Sequence, residues 1–372
     1  MPLKKQLFIT VGWIGLSVLL ISWGSTGHYK INTASGLSFN SEMAQFNSWI
    51  STLADYASEA DHRKAWDPTE GPKHYIDIDN YPEFISNGFI AQTWDSVILV
   101  HGAAFVYDNG ILPWATMITF DSLESCFERR DWDKAVLFAA DLGHYVADGH
   151  MPMHITRNYN GQFSGNTGIH SRYESTMINA YISQFNYEGA ETNEIEDVNQ
   201  YIFDYLYSNY AFVDSVLAAD DYAKGINSNT SSSEYKQALW EKSNGFTIPL
   251  FSNASHALSE LIYTAWIRAG SPLISPDYVF VPGAESNFTL KQNVPNPFSN
   301  STQIQYSLTA KSEVIIQVFN LSGQTVATLD KGQKEKGDYT IDWKPENLRS
   351  GIYYVMLKSD RFADFKKMVV VN

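Results

Sequence analysis

The stretch Asp131-Trp-Asp-Lys-Ala-Val-Leu-Phe-Ala-Ala-Asp141-Leu-Gly-His144-Tyr-Val-Ala-Asp148-Gly149-His-Met-Pro152-Met-His154 decides how this chain is read. Its apolar residues recur at helical period, Asp131 stands where an N-cap belongs, and Gly149 with Pro152 closes the helix. His144 and Asp148 are four positions apart, so they project from one face of that helix, one turn above the other. A second window, His170-Ser-Arg-Tyr-Glu174, repeats the spacing. Imidazole nitrogens and carboxylate oxygens, with no cysteine among them, suit zinc in a catalytic rather than a structural setting. The pattern implies a hydrolytic metal site.

Outward from this helix, residues 40 to 270 keep the helical period, as in Glu42 to Ala60 and Asn253 to Ala269, and strand-like alternation is scarce. Glu188 to Asp197 and Asn227 to Ser233 read as polar loops between helices. The text changes near Ser271, where Pro272, Pro276, Pro282 and Gly283 mark a linker over 272–287. Short β-rich runs follow at Gln303 to Leu308, Val314 to Phe319, Tyr339 to Trp343, Ile352 to Leu357 and Lys366 to Val371, separated by turn signals. The expected architecture is an all-α catalytic domain over 23–271 followed by a small all-β sandwich over 288–372.

With 372 residues and 44% hydrophobic content, the chain has material for two folded domains. Lys4-Lys5 and the uncharged run from Leu7 to Ile21 have the basic start and apolar core of a signal peptide, expected over 1–22. The single cysteine, Cys126, cannot form an internal disulfide and reads as a small buried residue. Residues 288–372 carry 11 basic and 8 acidic side chains, against 15 and 33 in the rest of the chain. That acidity excludes a generic polyanion-binding groove, so any bound phosphate has to be held mainly by metal.

The tail resembles the C-terminal sorting domain of proteins exported by the type IX secretion system. The residues that carry the resemblance are Asn293-Val-Pro-Asn-Pro297-Phe298, Val318-Phe-Asn-Leu-Ser-Gly323-Gln, Leu348-Arg-Ser-Gly351-Ile-Tyr-Tyr-Val355 and Lys366-Lys-Met-Val-Val-Val371. It implies the type IX machinery as partner, and release or surface attachment after export. No obligate protein partner is otherwise evident.

Five histidines and four other residues form an ordered series, namely Trp23, His28, Asp61, His74, His144, Asp148, His154, His170 and Glu174. Through these the region from Trp23 to about 270 resembles the superfamily that joins zinc-dependent phospholipases C with single-strand-specific zinc nucleases, an all-helical family with three zinc ions. The resemblance implies that Trp23 is the mature N-terminus and binds one zinc with His28 and Asp148. It further implies that Asp61, His74 and His144 hold a second zinc, bridged to the first by Asp148, and that His154, His170 and Glu174 hold the third. Asp148 and Asp61 are then the catalytic carboxylates, Asp61 as the candidate to assist proton removal from the attacking water.

The substrate signs point two ways. Trp23 to His28 and the tetrapeptide His74-Tyr75-Ile76-Asp77 look like the nucleases, in which Tyr75 would stack a base, whereas Pro152-Met-His154 and the closing glutamate look like the phospholipases. The acidic charge favours a zwitterionic phospholipid headgroup over single-stranded nucleic acid, and the expected activity is phospholipase C-like phosphodiester hydrolysis, with a nuclease as the alternative. A surface binding protein with a structural zinc site is the reading from a different class. Arg63 and Lys64 are candidates to meet phosphate, oriented by Asp77, which could instead support a metal ligand or form a surface salt bridge. His62, His101, His150 and His256 are expected to be structural or solvent-facing.

Overall fold

In the computed structural model, which describes residues 24–274, 288–320, 325–345, 348–359 and 362–371, the Trp132–Gly149 segment is one α-helix. Its buried stripe of Trp132, Ala135, Val136, Ala139 and Ala140 continues at the same period into His144 and Asp148. Over the last two turns it is buried on every side, against Leu112–Arg129, Ser233–Arg268, Gly24–Ser35 and Ile50–Asp55. The helix that organises the core therefore also delivers two polar groups into it. Two side chains pack closely onto it at Gly143, where a Cβ would meet Asn32 Oδ1 and come within 2.7 Å of Leu258 Cδ2. Asn32 fixes this junction by donating from Nδ2 to Leu53 O at 2.9 Å and Ala140 O at 3.2 Å.

The expected helix from Glu42 to Ala60 is broken into a 3₁₀ stretch Ser41–Trp49, an α-helix Ile50–Asp55 and a short helix Glu59–Arg63. Asn40 caps the first piece by accepting from the Glu42 and Met43 amides. The expected Asn253 to Ala269 segment is instead the end of a helix running Ser233–Arg268, which carries Pro249 inside it. Residues 188–197 have no regular structure apart from a bend, as expected. Asp131 occupies the N-cap position of the Trp132–Gly149 helix but makes no side-chain cap bond. No helix among the described residues is long and apolar enough to cross a membrane.

The chain divides into two units, Met1–Ser275 and Pro276–Asn372. The second holds two antiparallel sheets built from β1 (Phe288–Leu290), β2 (Thr302–Leu308), β3 (Ser312–Asn320), β4 (Thr325–Lys334), β5 (Gly337–Trp343), β6 (Gly351–Ser359) and β7 (Phe362–Val370). One has the order β1-β2-β5 and the other β4-β3-β6-β7. Alternate residues such as Ile304, Tyr306 and Leu308 from the first sheet and Val314, Ile316, Val318, Val355 and Leu357 from the second fill one apolar core. Strands β1 and β4 were not expected from sequence. The signal peptide expected over 1–22, Trp23, and the linker from 275 to 287 lie outside the described residues.

A candidate metal centre in the helical unit

Three of the five histidines of the series are oriented by a backbone carbonyl. His144 Nδ1 donates to Ala57 O at 2.7 Å, His154 Nδ1 to His74 O at 2.6 Å, and His170 Nδ1 to Tyr159 O at 3.2 Å. With Nδ1 so engaged, Nε2 of all three rings is left to face carboxylates: His144 lies 3.3 Å from Asp148 Oδ2, His154 3.3 Å from Glu174 Oε2, and His170 3.1 Å from the same oxygen. His74 is turned the other way. Its Nδ1 is 2.9 Å from His144 Nε2, 3.0 Å from Asp148 Oδ2 and 3.6 Å from Asp61 Oδ1.

Three groups result: His28, His144 and Asp148; Asp61, His74 and His144; and His154, His170 and Glu174. Asp148 ties them together, with Oδ1 3.6 Å from His28 Nε2 and 3.7 Å from His154 Nδ1, and Oδ2 against His74 and His144. His28 also stacks on His144 with ring centroids 3.9 Å apart. The eight residues of the series that are described thus come together, although they span residues 28 to 174. His144 belongs to two of the groups, a closer junction than the bridging through Asp148 alone that the resemblance implies.

The donors fit zinc. Ligands at about 2.1 Å in a tetrahedron stand roughly 3.4 Å apart, and the nitrogen and oxygen atoms here face one another at 2.9–3.7 Å. Lone pairs that converge in a dry interior repel unless a cation lies between them. Oδ2 of Asp61 is buried without a hydrogen-bond partner, while Oδ1 meets Lys64 Nζ at 2.5 Å. Protonation equilibria within the cluster are pulled in opposite directions. Burial opposes protonation, yet the Asp148 and Asp61 carboxylates push His144 up to about 9, while burial and the neighbouring His144 hold His28 down to about 3. Against the cost of burial, His144 and His154 keep the Asp148 carboxyl well below the usual carboxylate range.

Behind His74 stands a residue that the sequence did not single out. Glu70 is fully buried, with Oε1 3.6 Å from His74 Nε2, and it accepts from Lys73 Nζ at 2.7 Å, from Arg63 Nη2 at 3.4 Å and from the Tyr145 hydroxyl. A carboxylate behind a ligand imidazole fixes its orientation and raises its basicity. The four-residue spacing of Glu70 and His74 was the available signal. Arg63 also pairs with Asp141 at 3.0 Å, so both Arg63 and Lys64 are engaged within the network of the centre. Asp77 makes no ion pair with either, leaving that expected orientation unsupported. Tyr75 is half-buried, its hydroxyl 3.4 Å from Asp108 O.

The remaining histidines join none of these groups. His150 is buried, donates from Nδ1 to Val146 O at 2.8 Å, stacks on Tyr205 and is held down to about 4 by burial. His62 pairs with Glu59, His101 with Glu83, and His256 lies against Glu191 O. Cys126 is buried and free, and burial pushes its thiol up to about 11.

Residues 294–371 match the family model described as the secretion system C-terminal sorting domain. No curated protein matches the chain. Among solved structures it is similar to an alpha toxin from Clostridium absonum, at 9% identity and a TM-score of 0.45 over 94% of this chain and 97% of that one. It is also similar to the alpha-toxin of an avian strain of Clostridium perfringens, at 12% identity and a TM-score of 0.45 over 96% of this chain and all of that one. At such values the likeness carries no argument about activity.

Proposed function

We propose that the helical unit is a zinc-dependent phosphodiester hydrolase of the phospholipase C type, exported through the type IX route that the sorting domain addresses. One observation carries this: three groups of buried imidazole and carboxylate donors lie side by side, two of them sharing His144 and the third within 3.7 Å of Asp148, with His144, His154 and His170 fixed from behind by backbone carbonyls. His28 and Asp148 serve one ion, with the Trp23 amine as the sequence resemblance implies. Asp61, His74 and His144 serve a second, and His154, His170 and Glu174 a third. Zinc bound in this way polarises phosphoryl oxygens and lowers the pKa of coordinated water to roughly 7.

The chain's own residues do the rest. Asp148 stays ionised throughout the working range and holds the first two groups at fixed separation. Asp61 also stays ionised, because His144, His28 and Lys64 outweigh the burial that raises it, and its Oδ2 is the proposed acceptor for the proton of the attacking water. Glu70, itself paired with Arg63, faces the ring of His74 from behind. The acidic charge of the unit suits a zwitterionic headgroup. The nuclease alternative draws on Tyr75 and Asp77, which directly follow the ligand segment.

Purified protein assayed against lecithin, single-stranded DNA and RNA, with chelator and with zinc restored, tests the proposal. Chelator-sensitive lipid cleavage is expected. Cleavage of nucleic acid alone makes the protein a nuclease, and inactivity at full zinc occupancy makes it a binding protein.

A further inference from the structure

The third donor group has no member on the long buried helix. His144 and Asp148 stand on that helix, whereas His154, His170 and Glu174 come from a 3₁₀ turn, Pro152–His154, a three-residue α-turn, Ile169–Ser171, and a π-helical turn, Arg172–Met177. Ile169–Ser171 and Arg172–Met177 run on into Ile178–Tyr181 as one helical segment whose middle is wound at π period, a geometry found mostly as single turns inside α-helices. Metal affinity depends on ligands already held near their bound positions. The contacts that anchor this segment to its surroundings therefore bear on where its two ligands stand.

Arg172 lies between His170 and Glu174 in sequence, and its side chain leads away from the metal ligands. Nη2 donates to Asp220 Oδ1 at 2.8 Å and Oδ2 at 3.0 Å, Nε to the Tyr235 hydroxyl at 2.9 Å, Nη1 to Thr167 O at 2.8 Å, and Nη2 also to Asn166 O at 3.1 Å. One guanidinium therefore ties the ligand-bearing turn to the helices Val213–Ile226 and Ser233–Arg268 and to the loop just before it. The same loop supplies Tyr159 O, which orients His170. Gly168 leaves the path open, since its φ is +91° and a Cβ there would stand 2.6 Å from Arg172 Nη1. Asp220, fully buried, receives its charge balance from Arg172 and Lys224.

We propose that Arg172 is a positioning residue for the metal ion of His154, His170 and Glu174, its planar fork on Asp220 and Tyr235 holding the turn from which two of those ligands project. The inference rests on the metal-centre reading above. Lysine cannot replace the fork, because a point charge satisfies only part of this fixed set of acceptors. Substitutions behind a metal ligand typically cost about 10–100-fold in affinity.

The test is a competition titration of zinc on the full chain, read as zinc bound per chain and as the affinity of each ion, with circular dichroism to establish that each variant is folded. Arg172→Lys is expected to weaken one of three ions by about 10–100-fold and leave the other two unchanged. Tyr235→Phe, which removes a single hydroxyl from this network, is expected to weaken the same ion by a smaller factor. Lys224→Met takes away the other cation of Asp220; it is expected to lower the melting temperature and leave all three affinities intact. Wild-type affinities in both Arg172→Lys and Tyr235→Phe overturn the positioning role, as does equal weakening by Lys224→Met, which would make the effect one of general packing. A wild-type chain that binds no zinc at this group overturns the metal-centre reading itself, and the positioning role with it.

Discussion

Glu70 has no hydrogen-bonding reason to be buried beyond the company it keeps, namely Arg63, Lys73, Tyr145 and, at 3.6 Å, His74 Nε2. Its carboxyl is held far below the usual range: burial opposes this, but His74, Lys73 and Arg63 prevail. Glu70→Gln keeps the shape and removes the charge behind the imidazole. Zinc affinity at the Asp61, His74 and His144 group is expected to fall by about 10–100-fold in a competition titration, and an unchanged affinity would remove Glu70 from the centre. Asp77 shows a different electrostatic effect. Burial, with Asp79 adding repulsion and Arg157 only partly opposing, pushes its carboxyl up to about 7 from 3.8. A carboxyl raised in the folded state is penalised when it ionises, so stability is lost as pH rises from about 4 to about 7 and is constant beyond. Asp77→Asn is expected to raise the melting temperature at pH 8 and to leave it nearly unchanged near pH 3.5. Parallel profiles for wild type and variant would show that Asp77 is not the group responsible.

At the scale of elements, the Trp132–Gly149 helix was legible because core stripe and ligand spacing share one period, so His144 and Asp148 could be read as neighbours without knowing what covers them. His170 and Glu174 were legible by the same spacing, although their turn is π-helical rather than α-helical. Asp61 and His74 were reached only through family resemblance, since nothing local links a short helix to a 3₁₀ turn across the cluster. Glu70 went unread because a buried acid among cations looks in sequence like any surface charge. Strand β4 went unread for a related reason: it is an edge strand with no fully buried side chain, contains Gly332, and is offset from β3 by register shifts near Ile316 and Val318. The element-scale prediction falls at Gly143, where the helices Gly24–Ser35 and Ser233–Arg268 meet the ligand helix. Gly143→Ala is expected to destabilise by about 1–3 kcal/mol in urea denaturation, whereas an unchanged midpoint would mean that the junction relaxes freely.

For the whole molecule, two compact units divide the work that the sequence suggests: a helical unit whose core turns polar at one cluster, and a β unit whose residues 294–371 match a secretion sorting domain. The acidity of the first fits the proposed centre, where bound ions would add positive charge to that of Arg63, Lys64 and Lys73. The burial of so many imidazole and carboxylate groups is costly in the absence of cations. X-ray diffraction recorded on both sides of the zinc absorption edge, from crystals grown with zinc, tests this most directly. The expected result is three anomalous peaks, one within each of the groups His28, His144 and Asp148; Asp61, His74 and His144; and His154, His170 and Glu174. A map with no peak in these groups, or with zinc only at surface carboxylates, would contradict it.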